Sequence, residues 1–261
     1  MKWHRVYGIT LRYLYLFRRS IDRLSDAFYW PTIDLLLWGL TSSYFAAKLP
    51  PNSHILLIIL SGLVFWIIVW RGQYEITVNL LEDLWNKNLV NIFVSPITFW
   101  EWISSFVLLG IIKAALSFAF ATVLALFMYK IHVMAFGFYF LPFVLLLFMT
   151  GWAVGFFISG IILRYGSQVQ TLAWSAIYAL SPFSAIYYPV SILPPWAQTV
   201  AKFVPTSYVF EGMREVIQTG KLNITTLLPC FILNLIYLVL SIWFLRKSFD
   251  KVLAKGLVKI Y

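Results

Sequence analysis

ISSFVLLGIIKAALSFAFATVLALFMY, the run from Ile103 to Tyr129, carries a single charge, Lys113. A helix that crosses bilayer hydrocarbon needs about 20 mostly apolar residues, and this run exceeds that without interruption. Five more stretches have the same character: Phe28 to Ala47, Ile55 to Trp70, Phe138 to Leu163, Val169 to Tyr188 and Ile224 to Leu245. Backbone amides in lipid must bond within their own segment, so the runs are expected to be helices. A β-barrel would show short alternating strands instead. The expected fold is all-α, a polytopic membrane protein with six transmembrane helices, forming one membrane domain over residues 1–261.

Composition agrees. The chain is 61% hydrophobic and 11% charged, whereas soluble domains carry about 25% charged residues. Aromatics reach 19%, with 12 Trp, and Trp and Tyr favour the membrane interface. The net charge of +10 fits basic loops against anionic lipid. No soluble basic domain is present to bind nucleic acid. Cys230 is the single cysteine, which excludes an intrachain disulfide and a cysteine zinc site. Met1 to Arg23 is basic and interrupted, unlike a secretory signal.

Lys and Arg set an orientation. With the N-terminus in the cytoplasm, 14 of the 20 bases fall inside, among them Arg5, Arg12, Arg18, Arg19, Arg23, Arg71, Arg164 and the tail bases Arg246 to Lys259. Five fall outside: Lys48, Lys130, Lys202, Arg214 and Lys221. This asymmetry predicts that both termini are cytoplasmic; the expected location of the multi-pass chain is the cell (inner or plasma) membrane.

Three segments lie between or before the spans. In residues 5–23, Val6, Ile9, Tyr13, Leu16 and Phe17 recur at helical spacing with arginines elsewhere, which predicts an amphipathic helix on the cytoplasmic face. Residues 71–102 read as a cytoplasmic loop with one or two short helices, ending before Pro96. Residues 189–222 read as an outer helical hairpin dipping partway into the bilayer. Pro194-Pro195-Trp196 opens its first helix; Pro205-Thr206-Ser207 opens its second, which ends near Gly220. Glu211 or Glu215 is expected to pair with Arg214.

Catalytic chemistry is not indicated. There is no GxxxxGK[ST] phosphate loop, no HExxH and no CxxC, and His4, His54 and His132 are scattered. No catalytic or metal-binding residue is therefore assigned, and the chain is not expected to be an enzyme. Ser159, between Gly155 and Gly160, reads as a packing position. Lys113 is the charge that stands out. It lies about ten residues into its span, near the midplane at 1.5 Å per residue. Asp34 enters the first span from the same side at a depth differing by about 6 Å. Isolated intramembrane charges are rare, so Lys113 is expected to pair with Asp34 or to face a polar pathway.

The order of these parts resembles the type-2 exporter permeases of the ATP-binding-cassette superfamily. Asn88-Leu89-Val90-Asn91-Ile92-Phe93-Val94-Ser95-Pro96 is similar to the second half of that family's coupling loop, although Lys87-Asn88 stands where Gly-Thr is usual. Leu193-Pro194-Pro195-Trp196, Val204-Pro205-Thr206-Ser207-Tyr208 and Gly212-Met213-Arg214 resemble the run before the family's last span.

The resemblance implies an interfacial first helix, a coupling helix between spans two and three, and a re-entrant hairpin before span six. It also implies a separate cytoplasmic ATP-binding subunit, so that ATP and magnesium bind the partner and no cofactor binds this chain. A second permease copy, in a homodimer, would complete the pathway within the membrane lipids. In the coupling segment, Leu84, Trp85, Leu89 and Phe93 would seat in an ATPase groove while Glu82 and Asp83 met its bases. Trp196, Tyr208, Glu211 and Arg214 would form the outer hairpin. The expected function is export of an amphipathic, lipid-linked, glycan or drug-like substrate. An ATP-independent channel or lipid scramblase is the alternative; an intramembrane enzyme or a scaffold subunit fits less well.

Overall fold

The computed structural model describes residues 1–48 and 54–255, without the side chains of Phe93, Met134, Ala135 and Lys255. Of the basic tail, Lys259 lies outside the described residues. The described residues form ten α-helices, in order: α1 (Trp3–Arg19), α2 (Ile21–Ala46), α3 (Ile55–Trp85), α4 (Leu89–Val94), α5 (Phe99–Tyr129), α6 (Phe140–Tyr165), α7 (Leu172–Ser175), α8 (Pro195–Ala201), α9 (Pro205–Thr219) and α10 (Leu228–Lys255). No strand occurs among the described residues. Among the described residues, four helical segments are long and apolar enough to cross a membrane: α3, α5, α6 with its flanking 3-10 turns, and α10.

Helix α1 buries Val6, Thr10, Tyr13 and Phe17, a 4-3-4 spacing that puts them on one face. Of the expected stripe, Leu16 is instead exposed. The helix ends at Ser20, whose extended backbone turns the chain and whose hydroxyl accepts the Arg23 amide of α2. Pro31, inside α2 and buried, has no N–H to give the Ala27 carbonyl. Ser117 of α5 donates to that carbonyl at 3.1 Å, so the orphaned acceptor is satisfied across the helix pair.

Helix α3 packs extensively on α5 and α6. The contact with α6 is close because it is made of glycine. The Gly151 Cα lies against Gly72, and a Cβ at Gly151 would come within 2.6 Å of the Val69 carbonyl oxygen. Helices α6 and α10 are joined by Asn234, which donates to the Leu146 carbonyl at 3.0 Å and accepts from Thr150 at 2.8 Å. Hydrogen bonds of this kind hold helices together where apolar burial has no water to escape from.

Two boundaries differ from the sequence reading. The second apolar stretch does not end at Trp70; the helix runs on to Trp85. Arg71, Gln73, Glu75, Asn79 and Asp83 are all buried there. Their polarity looks like a loop in one dimension, yet each finds a partner in three, so the helix continues. The cytoplasmic loop placed at 71–102 thus shrinks to the corner Asn86–Asn88, the short α4 and the turn before α5. The stretch 169–188 is not one helix either. It is a chain of turns and short helices: 3-10 at Gly166–Val169, α7, then 3-10 at Ser181–Phe183. Gln73 and Thr77 of α3 donate to the Ala173 carbonyl at 2.8 and 3.4 Å, the side-chain compensation that irregular backbone needs away from water.

Candidate functional site

Ion pairs gather at the end of the bundle where α1 and α4 lie. The deepest group is built on α3. Arg71 donates to the Asp26 carboxylate and carbonyl, both at 2.8 Å, and lies 3.3 Å from Glu75 Oε1. Lys113 Nζ of α5 donates to Glu75 Oε2 at 2.6 Å, and Asn79 donates to the same oxygen at 3.1 Å. Two carboxylates face two bases, so the group is neutral and hydrogen-bonded, which is what burial of charge requires. Gly110 on α5 faces Glu75, and a Cβ there would stand in ordinary contact, 3.7 Å from the Glu75 Cβ. Lys113 therefore pairs with Glu75 and not with Asp34, which is exposed on α2. The expected Asp34–Lys113 pair fails because α3 continues past Trp70 and carries Glu75 to the lysine.

The corner between α3 and α4 comes next. Asp83 accepts from Arg12 at 2.7 Å, from Asn88 at 3.0 Å and from the Tyr13 hydroxyl. Burial, and then the Asp83 carboxylate, push the Tyr13 phenol well above its ordinary value, so it stays a donor. Glu82 pairs with Arg23 of α2. Glu101 forms a capping box with Thr98 at the start of α5. Its carboxylate also accepts the Lys2 amide at 2.6 Å and lies 3.5 Å from Arg5. Helix α1 is thus tied at both ends of its buried face, to α3 and to α5.

This arrangement redistributes the six coupling candidates. Glu82 and Asp83 are engaged by the chain's own bases. Leu84 and Leu89 are buried, Leu89 completely. Trp85 is 47% exposed and stacks near Trp174. The Phe93 side chain lies outside the described residues. The face actually presented consists of Trp85, Asn86, Lys87, Val90, Asn91 and Val94. Val94 is 80% exposed. The sequence reading missed Glu75 and Glu101. Thr98-Phe99-Trp100-Glu101 carries the capping-box spacing, so Glu101 was detectable; Glu75 had no local signal.

At the opposite end, α8 and α9 form the expected pair of short helices, each with proline at its first turn, and Gly220 closes α9 at φ +71. Arg214 lies 2.9 Å from Glu211 and donates to the Ala185 carbonyl at 3.0 Å, while Glu211 accepts the Val190 amide at 2.6 Å. Of the two expected acid partners, Glu211 is the one that meets Arg214. Tyr208 donates to the Lys202 carbonyl, and Trp196 is exposed and edge-on to Phe183. The tip between α8 and α9 touches the middle of α10, where Tyr237 donates to the Phe203 carbonyl at 2.9 Å.

Residues 13–217 match the family described as ABC-2 type transporter. That is most of the chain, which therefore belongs to this family. It is a membrane permease of an ABC transporter, a kind of subunit that generally works with an ATP-binding partner. No curated protein matches the chain.

Proposed function

We propose that the chain is the permease of an ATP-driven exporter moving an amphipathic, lipid-linked, glycan or drug-like substrate out of the cytoplasm. In this reading α2 and the irregular stretch 166–188 complete six crossings, both termini are cytoplasmic, and a second copy closes the pathway. ATP and magnesium bind a separate ATPase, and this chain carries no catalytic residue. The observation that carries the reading is the braced corner. Arg12, Tyr13 and Asn88 converge on Asp83, and Arg23 holds Glu82, directly behind an exposed face that runs from Trp85 to Val94.

A corner tied to α1, α2 and α3 transmits a push as a nearly rigid body. An exposed face of mixed apolar and amide side chains is suited to fill a groove on the ATPase. The opposite end supports the same reading, because the α8–α9 tip reaches mid-α10, as expected of a hairpin that dips into one leaflet.

The test is reconstitution of the chain with its ATPase in proteoliposomes, with candidate lipids, glycans and drugs as cargo. Transport that requires hydrolysis, and ATPase activity that rises with cargo, are expected. Cargo movement by the chain alone, at the same rate without nucleotide, would replace the exporter with the channel or scramblase.

A further inference from the structure

Between α6 and α10 runs a groove with a cavity of about 500 Å³, lined by Ala153 and Phe157 on one side and Leu240, Trp243 and Phe244 on the other. Phe203 stands at its far end. Gly160 makes the floor possible: the Phe244 ring occupies the space where a Cβ would stand, 2.6 Å away. Three hydroxyls border the groove, and each is engaged within the protein. Thr150 donates to Asn234 at 2.8 Å, Ser241 to the Leu238 carbonyl at 3.0 Å and Tyr237 to the Phe203 carbonyl at 2.9 Å. The walls thus offer a ligand hydrocarbon contact and no free polar group. Phe157, Leu240 and Trp243 are about half exposed, so the groove opens sideways.

Two cations sit directly on its lining. The Arg164 guanidinium lies 4.4 Å over the Phe244 ring, and Lys247 Nζ lies 4.0 Å over the Trp243 ring. Arg164 also donates to Ser248 at 2.8 Å, which fixes its position. Among the described residues neither base is ion-paired with a carboxylate, and Asp250 reaches neither. From Tyr237 to Lys247 the helix rises about 15 Å, the thickness of about half the hydrocarbon core. The groove therefore has the length of one leaflet, an apolar wall, and two bases seated on its aromatic lining at one end.

We propose that this groove binds one acyl chain of an anionic phospholipid, with Arg164 and Lys247 holding the headgroup. The chain lies along Leu240 and Phe244 and ends near Phe203, where the α8–α9 tip meets α10. The occupant is set by charge complementarity: hydrocarbon alone fills the groove from any lipid, and the two bases select a net negative headgroup. The site does not depend on the export reading, since lipid binding needs neither ATPase nor cargo.

The test uses the full chain purified in mixed-lipid nanodiscs. A phosphatidylglycerol with a photoreactive group midway along its acyl chain competes with the matching phosphatidylcholine. Labelling is mapped by peptide mass spectrometry. Labelling of residues 150–157 and 237–244 is expected, with phosphatidylglycerol favoured about thirtyfold, or about fivefold per base. Arg164→Gln with Lys247→Gln is expected to abolish the headgroup preference while leaving the label in place. Ala153→Phe, which fills the groove, is expected to remove the label. Lys221→Gln, elsewhere on the chain, is expected to change neither. Equal labelling by both lipids, labelling elsewhere on the helices, or a preference that survives loss of both bases would overturn the proposal.

Discussion

Lys113 Nζ lies 2.6 Å from Glu75 Oε2, and both side chains are buried, at 6% and 1% exposure. The pair joins α5 to α3, and through Arg71 it extends to Asp26 on α2. Removing one partner leaves a buried charge unmatched, which typically costs 3–5 kcal/mol. Lys113→Met and Glu75→Gln are each expected to lower thermal stability in detergent by about that amount. The double variant is expected to lose clearly less than the sum, because the two losses share one interaction. Additive losses in a double-mutant cycle would show that the pair does not couple the helices.

Asp83 is one of two acids that tie α1 to the bundle, through Arg12 and Tyr13, the other being Glu101. Tyr13→Phe removes one donor to a carboxylate, and a hydrogen bond to a charged group is worth about 1.5–3 kcal/mol. Release of α1 from the bundle is the expected consequence. Hydrogen exchange over residues 3–19 should rise by about one to two orders of magnitude, while α3 and α6 remain protected. Asp83→Asn should act in the same direction, since it also removes the charge facing Arg12. Unchanged exchange in α1 would mean that its apolar face alone holds it.

The helix α1 was readable from the helical recurrence of Val6, Ile9, Tyr13 and Phe17, although Leu16 of the same stripe is exposed and Thr10 takes a buried place, and the α8–α9 pair was readable from Pro195, Pro205 and Gly220. These signals are local: periodicity, a fixed proline φ and a glycine closing a helix. The network around Glu75 was not readable. A polar run such as Arg71 to Asp83 has the composition of a loop, and only the arrival of Asp26, Lys113, Arg12 and Arg23 from distant positions makes it a buried helix. The same blindness produced the Asp34–Lys113 expectation, which compared depths along two helices without knowing that a third helix brings another acid, Glu75, to the lysine. The irregular stretch 166–188 was hidden for the opposite reason. Its composition is that of a span, but the ladder breaks where Ala173 gives its carbonyl to Gln73.

Glycine at the α3–α6 contact provides a contrast of opposite sign with glycine on α1. At Gly151 an added Cβ would stand 2.6 Å from a backbone oxygen, and backbone cannot swing aside as a side chain can. Gly151→Ala is expected to force the helices apart at a cost of about 1–3 kcal/mol. At Gly8 nothing lies within 4 Å, so Gly8→Ala meets open space. It is expected to stabilise α1 by roughly 0.5–1 kcal/mol, through helix propensity alone. Thermal unfolding and hydrogen exchange of α1 measure the two effects. A neutral Gly151→Ala would show that α3 and α6 are not held as closely as the geometry requires.

Leu89 and Val94 both belong to α4, and they separate folding from docking. Leu89 is completely buried, whereas Val94 is 80% exposed. Leu89→Asp puts a carboxylate into the core beside Leu84, and a buried unpaired charge is among the changes proteins tolerate least. It is expected to reduce the yield of folded protein, so a loss of transport in that variant says nothing about coupling. Val94→Asp changes only the presented face and is expected to leave thermal stability within about 0.5 kcal/mol, while Trp85→Ala also gives up the ring contact with Trp174 and is expected to cost about 0.5–1.5 kcal/mol. Under the proposed mechanism they should lower co-purification of the ATPase, and with it cargo-stimulated hydrolysis, by about tenfold, because truncating an anchor at an interface costs 1–2 kcal/mol or more. Two stable variants with full ATPase association would place the docking face elsewhere on the bundle, leaving the braced corner with a purely structural role.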